Sequence, residues 1–195
     1  MARSFRFSRN AEARSRRCFP AKAQWPDALF PPTSWAILAS VEASNREVLK
    51  GLNAGTQGVD VGPFIRAALT GDTSAMSPQI AADFAAYLGL LDPEVEIDTS
   101  GVDMPGFGVL HGLEGMRALW SRWIEGWEHY SWTQSNWSEM GEHVIADVQI
   151  RATGSSSGAE VTWNHCQLWT FREGKVIRWR FFNDRASALA AIENP

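Results

Sequence analysis

Two different spacings of apolar residues divide the chain into a helical part and a strand part. Between residues 44 and 128 apolar side chains recur every three or four positions, as expected for helices that pack one face against a core. Beyond residue 143 they recur at every second position, as expected for strands with one buried face. Helices followed by a run of strands predict an α+β fold.

The first part begins with a helix and a glycine-rich stretch. A helix is predicted over residues 44–54, and Gly55 ends it. Residues 56–76 are rich in Gly and Thr and hold one short helical piece, at 64–69.

Two longer helices follow. Ser77 and Pro78 predict the start of the first of them, because serine caps a helix and proline is tolerated in the first turn. Asp92 and Pro93 end it. The strongest helical pattern covers residues 113–128, where one stripe is formed by Met116, Trp120, Trp123 and Trp127.

Strands and turns account for most of the remainder. Alternation predicts four strands, separated by a Gly/Pro-rich loop at 99–112 and by glycine-containing hairpins: residues 94–98, 144–150, 161–171 and 176–183. A short helix over 186–192 closes the chain.

Tryptophan content is the unusual feature of the composition. The chain has 195 residues, 45% of them hydrophobic and 21% charged, which is ordinary for a globular domain. Ten of them are tryptophan. Because the indole ring is large and its N–H needs a partner when buried, so many indoles indicate either a thick core or a flat-walled ligand pocket.

Charge is distributed unevenly. Residues 1–40 hold seven Lys/Arg against two Asp/Glu, and the rest holds eleven against twenty, so the main domain carries about −9. An acidic domain argues against nucleic-acid binding, which needs a basic face. Residues 1–40 are interpreted as a disordered basic extension or as the product of a start codon assigned too far upstream.

Cysteine and histidine patterns indicate no metal site. Cys18 and Cys166 are far apart, the four histidines are scattered, and no C-x-x-C or H-E-x-x-H motif occurs. We therefore expect no metal and no cofactor. No apolar run reaches the roughly 20 residues that cross a bilayer. The expected location is the reducing cytoplasm.

Three strings resemble the SnoaL-like superfamily, also called nuclear transport factor 2-like. "LLDPEVEID" at 90–98 resembles the end of the second helix and the first strand of these proteins. "HGLEGMRALWSRWIEGW" at 111–127 resembles their third helix, and "QLWTFREGKVIRWRFFNDRASAL" at 167–189 their closing hairpin and tail. The resemblance implies a cone-shaped, curved antiparallel sheet wrapped around N-terminal helices, a ketosteroid isomerase-like or cystatin-like roll. It places one domain at 41–195, with an insertion near 56–76, and implies a homodimer formed through the outer sheet face.

The resemblance also suggests where chemistry would lie. Asp98 stands where the ketosteroid isomerase branch keeps its general base, and Gln167 where that branch has an acidic oxyanion donor. The second donor of that branch falls at Val48, and the acid/base aspartate of the cyclase branch falls at Phe181. Each well-understood chemistry is therefore absent in its standard form. A solvated aspartate at a strand end is the alternative for Asp98.

His165 shares a strand face with Gln167, because the two are two residues apart. It is a third catalytic candidate, and the alternative is a ring that packs between tryptophans. The predicted ligand pocket consists of the aromatic side chains on the helix stripe and the last two strands, together with one asparagine: Trp120, Trp123, Trp127, Trp163, Trp169, Trp179, Phe181 and Asn183.

Three functions stay open from the sequence. The first is a cofactor-independent isomerase, cyclase or lyase that moves a proton on a small hydrophobic carbonyl compound, with Asp98 as base. The second is a non-catalytic protein that binds a small hydrophobic molecule. The third is a dimeric protein that binds a partner through the outer face of the sheet.

Overall fold

The computed structural model describes residues 43–72, 74, 76–103 and 108–193. Its helices are α1 (Asn45–Asn53), α2 (Gly62–Thr70), α3 (Pro78–Leu90), α4 (Gly112–Glu125) and α5 (Arg185–Glu193), with a 3-10 turn at Ala54–Thr56. Its strands are β1 (Leu91–Gly101), β2 (Val109–His111), β3 (Trp127–Met140), β4 (His143–Gly154), β5 (Glu160–Arg172) and β6 (Lys175–Phe182). The predicted extension, 1–40, lies outside the described residues.

Serine side chains set the starts of two helices. The Ser44 Oγ accepts a hydrogen bond from the Glu47 amide, 3.4 Å away, and α1 begins at the next residue. The Ser77 Oγ accepts one from the Ile80 amide, 3.2 Å away, with Pro78 in the first turn of α3. Each bond satisfies an amide that has no partner within its own helix. The predicted start of the first of the two longer helices is confirmed.

A single curved sheet holds the strands in the order β2-β1-β6-β5-β4-β3. Neighbouring strands are antiparallel except for β1 and β6, which run parallel. The predicted α+β fold, with the helices packed against a curved sheet, is confirmed. Strands β1 and β6 are not consecutive in the chain. The chain passes through β2, α4, β3, β4 and β5 after β1, and only then does β6 lie beside β1, in the parallel direction.

The main core lies between the helices and the inner face of the sheet. Val95 and Ile97 of β1 pack there with Met116 of α4 and Trp179 of β6, all at most 6% exposed. The register of β1 and β6 agrees with this packing, since Ile97 lies directly beside Trp179. Alternate residues of β1, β5 and β6 therefore point to the inner face.

Strand β3 was not predicted, and its absence from the prediction also misplaced the end of α4. The helix was expected to reach residue 128, but it ends at Glu125, and Gly126 follows it. Trp127 is the first residue of β3, so it does not belong to the helical stripe. Strand β2 likewise lies within the predicted 99–112 loop.

The outer face of the sheet is covered at one end by α5. Ile145, Cys166 and Leu168 are at most 1% exposed there and pack against Ala188 of α5. Burial raises the pKa of the Cys166 thiol to about 12, so the thiol is uncharged. Across the part of the chain that the structure describes, no helix is long and apolar enough to cross a membrane.

Candidate functional site

A cavity of about 120 Å³ lies between the helices and the inner face of the sheet. Its size is close to that of an engineered apolar cavity of about 150 Å³ that binds benzene. Aromatic side chains from α2, α3, α4, β3 and β6 form much of its wall: Phe64, Phe84, Tyr87, Trp120, Trp123, Tyr130, Trp132, Trp179 and Phe181. The space is suited to a molecule of about one ring.

Two polar side chains from β5 lie on the inner wall of this cavity. His165 is 6% exposed and Gln167 is 7% exposed, and both line the cavity. The Gln167 Nε2 lies 3.0 Å from the His165 Nε2 and donates to it. The His165 ring also stacks on Phe181, with the ring centres 5.7 Å apart. Ring and amide are therefore held as a fixed pair.

Each member of the pair keeps one polar atom without a partner. The His165 Nδ1 and the Gln167 Oε1 are buried and make no hydrogen bond within the described part of the chain. Burial lowers the pKa of His165 to about 4, so the ring is neutral at pH 7. With Nε2 accepting, the ring proton sits on Nδ1. The pair thus holds one donor and one acceptor without a partner. If the oxygen and nitrogen of the Gln167 amide were assigned the other way round, the pair would still hold one of each.

Exposed and partly exposed residues mark the side of the cavity nearest to solvent. Gly55 and Thr56 of the 3-10 turn, Asp83 of α3 and Gln134 of β3 line it there. The Asp83 carboxylate accepts a hydrogen bond from the Gln79 side chain, 2.8 Å away, one helical turn earlier. We call this side the mouth of the cavity.

The connection between α1 and α2 is fastened to β3. The Gln57 Oε1 accepts from the Gln134 amide, 2.6 Å away, and the Gln57 Nε2 donates to the Gln134 side chain, 3.1 Å away. The Asp60 carboxylate accepts from the Tyr130 amide, 3.1 Å away, and pairs with the His129 ring at 2.7 Å. These bonds cover the edge strand and hold the mouth in place.

Asp98 does not lie in the cavity, and this corrects the geometry expected for a general base. Its neighbour Ile97 points to the inner core, so Asp98 points to the opposite face. Its carboxylate accepts from the amide and hydroxyl of Ser100, at 2.9 and 2.5 Å. Across the parallel pair it lies beside Arg180. Its role as a base stays a prediction that this position does not favour.

The other predicted pocket residues divide into two groups. Trp120, Trp123, Trp179, Phe181, His165 and Gln167 line the cavity together. Trp127, Trp163, Trp169 and Asn183 are not among the lining residues. Trp169 is fully buried between Trp137 and Trp179, with ring centres 5.5 and 6.1 Å away, so its place is in the core. Asn183 instead accepts a hydrogen bond from the Asp103 amide, 3.4 Å away.

Several lining residues were not anticipated. Tyr130, Trp132 and Gln134 belong to β3, and their spacing of two is the strand signal that could have identified them. Phe64 and Asp83 come from α2 and α3, and no local pattern shows that these faces meet the sheet. Within the described ranges no group of His, Cys, Asp or Glu side chains is placed to hold a metal ion.

Comparison with known proteins agrees with this architecture. The sequence model of the SnoaL-like domain family matches residues 64–179, more than half of the chain, so the chain belongs to the SnoaL-like domain family. The resemblance noted from the sequence is therefore confirmed. No curated protein matches the chain.

Solved structures give distant likenesses. TerC is 19% identical, with 75% of this chain and 96% of that chain covered and a TM-score of 0.48. A nuclear transport factor 2-like protein of unknown function from Burkholderia pseudomallei is 20% identical, with coverages of 71% and 95% and a TM-score of 0.46. A hypothetical protein with a ketosteroid isomerase-like fold from Catenulispora acidiphila is 12% identical, with coverages of 74% and 90% and a TM-score of 0.47. Nothing about the site follows from these likenesses.

Proposed function

We propose that this SnoaL-like domain binds a small apolar ring compound that carries a hydroxyl or carbonyl group, with His165 and Gln167 as the polar anchor. The observation that carries the proposal is the buried pair itself, with one unpartnered donor and one unpartnered acceptor in an aromatic cavity. Small-molecule sites have this composition, with apolar walls and a few convergent polar groups.

The energetics favour a ligand with a polar substituent. A buried polar atom without a partner destabilises the fold by about 1–3 kcal/mol. A ligand hydroxyl that reaches the pair can donate to the Gln167 Oε1 or accept from the His165 Nδ1, so it supplies a partner that one of these atoms lacks. Because a site built around buried polar groups rejects an analogue that leaves them unpaired, the hydroxyl gives selectivity as well as affinity.

Two probes that differ only in the hydroxyl test this proposal. Titration of the tryptophan fluorescence with 4-ethylphenol and with ethylbenzene gives the two dissociation constants. We expect 4-ethylphenol to bind about tenfold more tightly, which corresponds to one or two recovered hydrogen bonds. Equal affinity of the two compounds, or no saturable response to either, would contradict the proposal.

Variants on opposite faces of one strand supply the control. Gln167→Met removes the inward amide, so the preference for 4-ethylphenol should fall to about twofold or less. Asn164→Leu changes the same strand on its outer face, where the Asn164 side chain accepts from Gln149 at 3.3 Å. That variant should keep the wild-type preference. A similar loss in both variants would point to a general effect on folding.

Catalysis of proton transfer is the second candidate function. Family membership and the neutral His165 ring support it, since a neutral imidazole N–H in a dry site can stabilise a developing enolate oxygen. The sequence-based assignment makes Asp98 the base, in an isomerase- or cyclase-type reaction without a cofactor. Exchange of the α-protons of a cyclic ketone for deuterium, followed by NMR in deuterium oxide, tests for it. A rate of exchange that is unchanged in Asp98→Asn would remove Asp98 from the mechanism. A rate no faster than that in buffer without protein would contradict catalysis and leave ligand binding as the proposed function.

Self-association through the outer sheet face is proposed separately. Beyond the area covered by α5, that face carries polar side chains, including Thr133, Gln149 and Thr162. Broad polar sheet faces can pair through side-chain hydrogen bonds and bridging water. Sedimentation velocity at micromolar concentration tests the proposal, and a single monomeric species would overturn it.

A further inference from the structure

We propose that the cavity selects ligands whose ring also carries a protonated amine, with the Asp83 carboxylate at the mouth as the residue that recognises the charge. The ligand class is an arylalkylamine with a hydroxyl group at the far end of the ring. This inference rests on the proposed function, because it assigns the second end of the ligand that His165 and Gln167 hold.

Charge at the cavity has one sign. Among the described residues that line it, Asp83 is the one Asp or Glu, and none is Lys or Arg. The Asp83 carboxylate accepts from the neutral Gln79 amide, at 2.8 Å, and no cation is paired with it among the ion pairs of the described chain. A cationic group at the mouth would therefore meet an uncompensated negative charge.

Aromatic rings line the same cavity as this carboxylate. Phe84 follows Asp83 on α3, and its ring lies 5.2 Å from that of Trp120, with both rings lining the cavity. One turn later, Tyr87 of the same helix lines the cavity beside Trp179. Indole, phenol and phenyl rings attract alkylammonium groups through the negative charge of their faces. Rings and carboxylate together favour a cation over a neutral group or an anion.

The polar residues that line the cavity differ in the chemistry that they accept. His165 and Gln167 are buried and neutral, which suits an uncharged hydroxyl, whereas Asp83 is partly exposed, which allows an ammonium group to keep part of its hydration. A volume of about 120 Å³ accommodates one ring. The acidic main domain, about −9 over residues 41–195, further favours the approach of cations.

Three phenols of similar shape test the assignment. Tyramine carries an ammonium group, 4-ethylphenol is neutral, and 4-hydroxyphenylacetate is an anion, while all three present the same hydroxyl. We expect tyramine to bind about fivefold more tightly than 4-ethylphenol, and the anion to bind more weakly than either. The tyramine preference should also shrink at high salt, because the carboxylate is partly exposed.

Removal of the charge gives the matched comparison. In Asp83→Asn, the preference for tyramine over 4-ethylphenol should disappear, so that the two compounds bind with similar affinities. Asp92→Asn removes the same charge from a residue that does not line the cavity, so it should keep the wild-type preference. Saturable binding of 4-ethylphenol with no preference for tyramine in the wild-type protein would overturn the amine assignment alone. Failure of 4-ethylphenol to bind would overturn the proposed function, and the amine assignment with it.

Discussion

Burial of His165 predicts how the stability of the protein changes with pH. Burial lowers the pKa of His165 from 6.5 to about 4 in the folded state. The unfolded chain exposes the ring, whose pKa then returns to its ordinary value. Between these two values the unfolded state binds more protons than the folded state. The contribution of His165 to stability is therefore present above pH 6.5 and is lost as the pH falls toward 4.

The magnitude follows from the two pKa values. A pKa that falls from 6.5 to about 4 corresponds to about 3 kcal/mol of unfolding free energy once both states are protonated. Near pH 5, where the unfolded ring is charged and the folded ring is not, the loss is about 2 kcal/mol. This is a large share of the roughly 5–15 kcal/mol that stabilise an ordinary domain.

Urea denaturation of the wild-type protein and of His165→Gln isolates this contribution. Carboxylates that titrate in the same range are shared by the two proteins, so their effect cancels in the difference. The unfolding free energy of the wild type minus that of the variant should decrease by about 2 kcal/mol between about pH 7.5 and about pH 5. A difference in unfolding free energy that stays constant within about 0.5 kcal/mol between these pH values would refute the conclusion that His165 is buried and neutral in the folded state.

Three further predictions test separate parts of the fold. The pKa of His129 is raised mainly by its hydrogen bond to a carboxylate, so the advantage of the wild type over His129→Asn in urea denaturation should be present below pH 6.5 and should disappear as the pH rises through the raised value. Gly101→Ala places a methyl group against a backbone carbonyl of β6 and should destabilise the protein by about 2 kcal/mol in thermal unfolding, whereas Gly126→Ala, with open space around it, should have little effect. Trp169→Ala empties a fully buried position and should lower the unfolding free energy by about 3–5 kcal/mol by the same measurement.

Local signals in the sequence were sufficient for most of the helices and strands. Ser77 and Pro78 begin α3 because a side-chain oxygen and a missing N–H fit the first turn of a helix wherever they occur. Strand β3 was missed because most of its residues are polar, Ser135 and Ser138 flank an irregularity in its pairing, and Asn136 adopts a positive φ of 49°. A strand stabilised by its neighbours rather than by its own apolar residues gives little local pattern.

The site was predictable only where one element supplied it. Alternation along β5 placed His165 and Gln167 on one face, and the structure brings both to the cavity. Asp98 obeys the same alternation, but resemblance to a catalytic branch outweighed the observation that its neighbour Ile97 was the apolar, inward residue. Asp83 could not be found, because its position depends on how α3 packs against α1 and the 3-10 turn. Contacts between distant elements are set by tertiary packing, which leaves no periodic trace in one helix.

The buried polar pair predicts a separation of stability from binding. In His165→Leu alone, the amide of Gln167 loses its ring partner, so that variant should be destabilised. In the double variant His165→Leu, Gln167→Met the cavity is lined by apolar groups of similar volume, and no polar atom of the pair is left buried. The double variant should therefore be as stable as the wild type or more stable by about 1–3 kcal/mol, while its affinity for 4-ethylphenol falls to that for ethylbenzene. Thermal unfolding and the same fluorescence titration measure the two effects. A double variant that is less stable than His165→Leu alone would mean that the pair stabilises the packing of the core. The pair would then have a structural role, and its burial would no longer indicate a ligand.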